Sequence, residues 1–370
     1  MNERVTPARS DAVRVREPAL RAQARAILVA WGFRDDPVSA AVDALVWADL
    51  HGISSHGVAM LLVYETWLKA GRFVTSAIPR VVCDSPVLAT LDAGSGLGFA
   101  GARAGMTLAI QKAQRNGLAA VAVRRSNHFG AAGHWVSMAA DAGLVGIATT
   151  STVAPAIVPT GGLQARFGTN PIAFAAPGRE GTSFLLDMAT STVALGKLMV
   201  ASLRGHSIPE GWALGPDGLS TTDPAQGYRS RLATPLGGRP ELSSHKGSGL
   251  AAMVEILSVL LPGATLSMDN PGPGVPGDVG HFFCALDPAS LRGDDGFGAA
   301  LDNMLDRLRA TPAADPSQPV LAAGDPERAA LKRSRELGIE IPHSLVAALR
   351  EIARRADCPW VLEGTEGCPN

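Results

Sequence analysis

Four short stretches of this chain put residues capable of chemistry into turns at the ends of elements. The first is "RRSNHFGAAGHW", Arg124 to Trp135. It sets His128 behind an apolar run, "LAAVAV", and ahead of a helix start that contains glycine. A lone histidine after a strand is more often structural than catalytic. Three features argue the other way here. Sites in α/β sheets lie at the carboxyl ends of strands. Ser126 and Asn127 offer hydrogen bonds that fix a tautomer. Gly130 and Gly133 let a ligand come close to the following helix start. The second stretch is "SSHGV", where His56 stands between Ser55 and Gly57. Alone it reads as a solvated loop histidine. Beside His128 it makes a pair suited to a dehydrogenase, whose reaction needs a group that gives and takes a proton near neutral pH.

The third stretch, "LLDMATSTVALGK", runs an apolar strand into Asp187. A carboxylate there orients a histidine, binds a ribose hydroxyl, or caps the helix that follows. The fourth, "SSHKGSGL", sets Lys246 ahead of an apolar helix, where it either pairs with a phosphate or is simply solvated. A further motif competes with these. "GLGFAG" fits G-x-G-x-x-G through Gly96, Gly98 and Gly101, after a strand and at a helix start, as a Rossmann phosphate loop does. On that reading Arg124 and Arg125, at the end of the next strand, would meet the 2′-phosphate of NADP.

The elements that position these residues follow from periodicity. Residues 17–72 read as helical: Asp36 as N-cap and Pro37 at the first position open a helix that Gly52 closes, and a second helix ends at Gly71. From about residue 80 strands and helices alternate. "PVLATLDAG", "LAAVAV", "LVGIATTS" and "HFFCALD" are strands, and helices ending at Gly117 and Gly143 lie between them. Residues 151–245 are rich in Gly, Pro, Ser and Thr and line a site. "GSGLAAMVEILSVLL" is a helix, residues 310–327 an extended connection, and "HSLVAALREIARRA" a last helix.

Composition bounds the function. The 370 residues are 46% hydrophobic and carry a net charge of -1, with no basic stripe, which argues against nucleic acid as a partner. No apolar stretch is long enough to cross a bilayer, and the N-terminus lacks the apolar segment of a secretory signal. Four scattered cysteines without a C-x-x-C pair argue against a zinc site, and no metal is expected. These features describe a soluble protein of a reducing, cytoplasmic compartment.

Taken together, the ordered motifs resemble one family, the malate/L-lactate dehydrogenases of the non-Rossmann type. That family also contains ureidoglycolate dehydrogenase, sulfolactate dehydrogenase, 2,3-diketogulonate reductase and the Δ1-piperideine-2-carboxylate reductases. The motifs are "ADLHGISSHGV" with Tyr64, "SNHFGAAGHW", "FGTNPIAFAAP", "LLDMATSTVALGK", "IPEGWAL" with "DGLSTTDP", "HKGSGLAAMVEIL" and "RSRELGIEIP", from about residue 18 to 355. The resemblance implies an α/β fold of the sulfolactate-dehydrogenase kind, with a mixed sheet. It places N-terminal helices, residues 1–73, against C-terminal helices, 300–370, around a core of 74–299. It implies NAD or NADP as cofactor, held at Thr152, at Asp187, Met188, Ala189 and Thr190, at Lys246, and at Gly324, Asp325 and Pro326. It makes His56 and His128 the catalytic pair, turns Gly96–Gly101 into a mere tight turn, and implies a homodimer. The reaction is a hydride transfer between nicotinamide and a carbonyl or imine carbon of a small 2-oxo acid, 2-hydroxy acid, cyclic imine or less usual substrate; the alternatives are a classical Rossmann dehydrogenase built on Gly96–Gly101 and a cofactor-binding protein without catalysis. Ser55, Met60 and Arg125 fall on the substrate side. Met60 departs from the family, which usually has there an arginine that grips the substrate carboxylate; either Arg125 replaces it or the substrate lacks that carboxylate. His245 in place of a tyrosine, and Asp325 in place of a longer acid, are smaller departures.

Overall fold

The structure is a computed structural model that describes residues 12–362 apart from 180, 181 and 273. The chain divides into two units. The first runs to Thr66 and resumes at Pro326; the second is Trp67–Asp325.

The first unit begins with strand β1 (Ala12–Val15), α1 (Glu17–Ala30) and α2 (Asp35–Leu50). Helix α2 starts one residue before the predicted cap, with Arg34 as N-cap and no side chain bonded to the free amides. Val38, Val42, Leu45 and Val46 recur at helical spacing, and all are buried. Gly52, at φ 77°, takes the left-handed turn that ends the helix. A single 3₁₀ turn, Ser54–His56, leads into α3 (Met60–Lys69), so the histidine stands in the turn and Met60 opens the helix.

The second unit is built on one seven-stranded sheet. In chain order it uses β2 (Arg80–Asp84), β3 (Leu88–Asp92), α4 (Gly98–Asn116), β4 (Leu118–Ser126), α5 (Ala132–Asp141), β5 (Val145–Thr150), β6 (Ile172–Ala176) and β7 (Phe184–Met188). Then come α6 (Leu195–Leu203), a short ribbon of β8 (Ala213–Leu214) and β9 (Ser220–Thr221), α7 (Pro224–Ser230) and α8 (His245–Glu255). Helix α8 runs on through a π-helical turn, Ile256–Leu260, which the sequence reading had merged into one regular helix. β10 (Val279–Leu286), α9 (Pro288–Arg292) and α10 (Phe297–Arg309) follow.

The strand order is β2-β3-β4-β10-β5-β6-β7. Only β3 and β4, joined by α4, run parallel; the remaining neighbours are antiparallel. A doubly wound parallel sheet is therefore absent from the unit that holds Gly96–Gly101, and the mixed-sheet expectation stands. β10 lies between β4 and β5, with His281 opposite Val123 on one side and Thr150 on the other. Leu301 and Leu305 of α10 pack with Val145, Ala176 and Ala322. Residues 300–325 fall within the second unit.

Of the extended connection predicted over 310–327, residues 310–324 hold no helix or strand, but the last three residues already form the start of α11 (Asp325–Leu337). The first unit is completed by β11 (Ile339–Pro342) and α12 (His343–Arg355). β11 pairs antiparallel with β1, and Arg355 meets Glu65 through two hydrogen bonds of 2.8 and 2.7 Å.

Candidate active site

His128 stands in the loop between β4 and α5, and that loop is shaped by an interruption at the end of β4. The register with β10 shifts between Val279 and His281, and Arg125 opposite this bulge takes φ 49°. Bulges of this kind re-aim side chains next to sites. The Arg125 amide donates to Asp278 at 2.7 Å, and its guanidinium pairs with Asp92 at 3.2 Å. Arg124 approaches the same Asp92 at 3.9 Å. Arg125, which the sequence offered to a 2′-phosphate or a substrate carboxylate, is thus paired with a carboxylate of the chain itself, while the buried Nε of Arg124 has no hydrogen-bond partner.

Ser126 and Asn127 do not hold His128, contrary to expectation. The Ser126 hydroxyl is 2.8 Å from Nε2 of His281, and the Asn127 amide donates to the carbonyls of Ser95 and Gly96 at 3.1 and 2.8 Å. His281 is wholly buried, stacked on Phe129 at 4.6 Å, with its Nδ1 2.7 Å from the Thr150 hydroxyl. Burial pushes its pKa down to about 3, so it is a neutral strut under the loop. Sequence reasoning placed His281 in a strand and gave it no role. His128 itself is half-buried. Its Nδ1 accepts the Gly130 N–H at 3.3 Å, which leaves Nε2 to carry the proton of the neutral ring. The ring meets the indole of Trp67 edge-on, 6.4 Å between centroids.

The G-x-G-x-x-G turn packs against this same loop. A Cβ on Gly98 would lie 2.1 Å from the Asn127 carbonyl oxygen and 2.3 Å from that of His128. In a phosphate loop that space is open and faced by N–H donors. Here two carbonyl oxygens face it, which would repel a pyrophosphate. The glycine serves close packing of α4 under the His128 loop.

In the first unit, His56 is half-buried, with the Ser55 hydroxyl 2.9 Å from Nδ1. Burial pulls its pKa below the ordinary histidine value. Asp49 of α2 fixes the turn that carries it. Its carboxylate accepts the Val58 N–H at 2.8 Å, and a Cβ on Gly57 would sit 1.8 Å from Asp49 Oδ1. Desolvation pushes the Asp49 carboxyl up to about 7. Tyr64 of α3 is buried, and Met60 is half-buried.

The expected cofactor residues of the second unit gather around β7. Asp187, exposed near its end, accepts the Gly133 N–H at 2.7 Å. It thus caps the first turn of α5, just past His128, rather than the helix that follows it in sequence. Thr190 is buried and donates to the carbonyls of Thr169 and Asn170 at 3.2 and 3.0 Å. Gly168 leaves no room for a Cβ between Thr152 Oγ1 and Asn170 Oδ1, which lie 1.9 and 2.7 Å from that position. Leu236 donates to the Thr190 carbonyl at 2.8 Å and is itself packed against Gly247, the neighbour of Lys246. Lys246 is exposed in the first turn of α8. On the other side, Leu185 of β7 donates to the Ala323 carbonyl at 3.3 Å, next to Gly324 at φ 94°. Asp325 is held by Arg309 through hydrogen bonds of 3.1 and 2.9 Å and by the Ala322 amide at 2.7 Å, so it fastens that turn. Pro326 follows it, exposed, and Met188 and Ala189 are half-buried between Asp187 and Thr190. Among the described residues no group of three His, Cys, Asp or Glu is placed to hold a metal ion, and no helix is long and apolar enough to cross a membrane.

Comparison with known proteins agrees with this geometry. The sequence model of the malate/L-lactate dehydrogenase family matches residues 15–350. A malate dehydrogenase of Pyrococcus horikoshii is 37% identical over 89% of this chain and 91% of its own length. A (2R)-3-sulfolactate dehydrogenase (NADP(+)) of Chromohalobacter salexigens is 36% identical over 84% and 89%. A Δ1-pyrroline-2-carboxylate reductase of Ancylobacter novellus is 34% identical over 90% and 95%. Among solved structures, the malate dehydrogenase of P. horikoshii superposes with a TM-score of 0.86 at 33% identity, covering 97% of this chain and 99% of that one. The sulfolactate dehydrogenase of Methanocaldococcus jannaschii gives 0.85 at 32% identity, covering 94% and 98%. A match of this extent, carried by the sheet order as well as by the motifs, means that the chain belongs to the malate/L-lactate dehydrogenase family of oxidoreductases.

Proposed function

We propose that this protein catalyses a nicotinamide-dependent reduction or oxidation at the carbonyl, hydroxyl or imine carbon of a small acid, with His128 as the group that moves the proton. The observation that carries the reading is the bond from the Gly130 amide to His128 Nδ1. It assigns the proton of the neutral ring to Nε2, the atom from which it would pass to a reacting oxygen or nitrogen. Asp187 supports the same loop from β7 by capping α5. The lowered pKa of His56 keeps that ring neutral near pH 7, which suits orienting a polar substrate with Ser55 beside it.

The residues around β7 fit a nicotinamide dinucleotide. Asn170 Oδ1 is buried without a hydrogen-bond partner, beside Thr152 and Thr190, and a buried acceptor of this kind calls for a donor such as an amide or a hydroxyl. Lys246, exposed at the positive end of α8, suits a phosphate group. Asp187, Met188, Ala189 and Gly324 to Pro326 complete the set. When bound, the nicotinamide supplies or accepts the hydride. The chain's own part is to hold the acid, keep His128 in one tautomer and place its proton. The relatives named for malate, sulfolactate and pyrroline-2-carboxylate bound the substrate class to small 2-hydroxy acids, 2-oxo acids and cyclic imines. The assembly is a homodimer in the cytoplasm.

The test is oxidation of NADH and of NADPH with a panel of 2-oxo acids and cyclic imines. Turnover with at least one is expected, and His128→Ala lowers it by about a hundredfold or more. Turnover of the variant within twofold of the unaltered enzyme overturns the assignment of His128.

A further inference from the structure

Arg72 is one of the largest side chains in the chain with almost no exposure, at 1%. Its Nη1 donates to the Gly272 carbonyl at 2.8 Å, while Nε and Nη2 have no hydrogen-bond partner. These two nitrogens form one edge of the guanidinium, the edge that matches the two oxygens of a carboxylate. The chain uses that edge twice elsewhere. Arg355 offers Nε and Nη2 to the two oxygens of Glu65, and Arg309 offers the same pair to Asp325. In Arg72 the edge is buried, formed and unmet.

Its surroundings tie Arg72 to the His128 loop. The guanidinium carbon lies 5.4 Å from the centroid of the Trp67 ring, and the same ring meets His128. The Arg72 carbonyl accepts the Gly277 N–H at 2.9 Å. Gly277 in turn packs against the side chain of Asn127, the residue before His128, so closely that a Cβ would lie 2.0 Å from Asn127 Oδ1. The circuit from Arg72 through Trp67, His128, Asn127 and Gly277 closes on itself.

We propose that Arg72 receives the carboxylate of the substrate whose carbon reacts beside His128, through Nε–H and Nη2–H. This rests on the functional reading above and deepens it. The cation that the family supplies at position 60 is absent, and Arg125 is engaged by Asp92; Arg72 supplies the charge instead. A buried cation with unmet donors costs stability in the empty protein, and an arriving carboxylate removes that cost.

The experiment compares the unaltered enzyme with Arg72→Met and Arg72→Lys. The first readout is the ratio of kcat/KM for pyruvate to that for pyruvamide, which differ in the carboxylate alone. The ratio is expected to fall by about tenfold to a hundredfold in Arg72→Met, the scale of a lost charge-assisted bond, and part-way in Arg72→Lys, which keeps the charge without the fork. The second readout needs no turnover: oxalate raises the melting temperature of the unaltered protein and leaves that of Arg72→Met unmoved. Arg72→Met itself melts no lower than the unaltered protein, since it removes an unpaired buried charge; a purely structural arginine predicts a loss. An unchanged acid-to-amide ratio, or an oxalate shift that survives in Arg72→Met, overturns the proposal. Absence of turnover with both pyruvate and pyruvamide, together with an oxalate shift that depends on Arg72, upholds the carboxylate site and sinks the catalytic reading instead.

Discussion

Replacing Asp49 with asparagine makes the protein more stable above neutral pH. Asp49 is buried in α2, and desolvation pushes its carboxyl up to about 7. An acid raised in this way favours the folded chain while it is protonated. Its share of stability is complete below the unfolded value near 4 and is lost as pH rises through about 7. At 1.36 kcal/mol per unit, a rise of about three units amounts to about 4 kcal/mol by pH 8. Asparagine keeps an oxygen for the Val58 N–H and cannot ionise. With an unfolding entropy of about 2.1 cal/mol/K per residue over the 370 residues, the variant melts about 5 °C higher at pH 8. At pH 4 the two proteins differ little. His281 acts in the opposite sense. Its pKa is pushed down to about 3, so its share is complete above the unfolded value near 6.5 and is lost as pH falls. Between about pH 4 and pH 6.5 the two slopes, each about 1.4 kcal/mol per pH unit, oppose one another. The Asp49→Asn variant unmasks the His281 slope as a stability that climbs with pH. Thermal unfolding followed by circular dichroism at half-unit steps from pH 4 to 8 measures it for both proteins. A difference between them that stays constant over this range refutes the reasoning.

Three further substitutions probe the framework. Gly98→Ala drives a Cβ into the carbonyl oxygens of Asn127 and His128, so turnover falls by about a hundredfold, the scale of a misplaced catalytic group. Cofactor affinity, read by fluorescence titration, changes far less; the reverse order would point to a phosphate loop at Gly96–Gly101. Lys246→Ala weakens binding of NADH or NADPH by about tenfold, as expected for one lost charge-assisted contact, and flattens the salt dependence of the titration. His281→Phe leaves the buried Ser126 hydroxyl without its ring partner, while the Thr150 hydroxyl keeps the carbonyls of Ser151 and Gly280, and stability falls by about 1–3 kcal/mol in urea unfolding at pH 7.

The elements of the sheet were legible because each announces itself within a few residues. "LAAVAV", "LVGIATTS" and "HFFCALD" are apolar runs of strand length, and Gly117 and Gly143 stop helices by taking positive φ. Their order was not legible. β10 enters between β4 and β5 although more than a hundred residues separate it from either, and pairing across such a distance leaves no local mark. The edge strand β2 was missed for a different reason. All five of its residues are exposed, so the sequence has no buried face to alternate against. The π-helical turn after α8 was missed because apolar spacing looks the same through it. What it accommodates is the neighbouring strand: a Cβ on Gly280 would lie 1.7 Å from the Ser258 carbonyl oxygen.

At the site, the sequence located His128 but misjudged what holds it. Ser126 and Asn127 adjoin the ring along the chain, yet they face His281 and the Ser95–Gly96 turn. The bond that orders the ring comes from an amide two residues on, and the carboxylate that caps its helix comes from β7, 54 positions away. Arg72 escaped notice since nothing in "KAGRF" foretells burial of a guanidinium. The glycine pattern at 96–101 shows why. A motif records that the backbone must pass close to something, and does not record what. A dinucleotide loop and a helix start wedged beneath a catalytic loop both need a bare Cα after a strand, so both write G-x-G-x-x-G. What separates them is the polarity facing that Cα. N–H donors there would attract a pyrophosphate; the carbonyl oxygens of Asn127 and His128 repel one. Gly98, the central glycine of the pattern that suggested a cofactor site, is thereby assigned to the packing beneath the loop of His128, the residue proposed to move the proton.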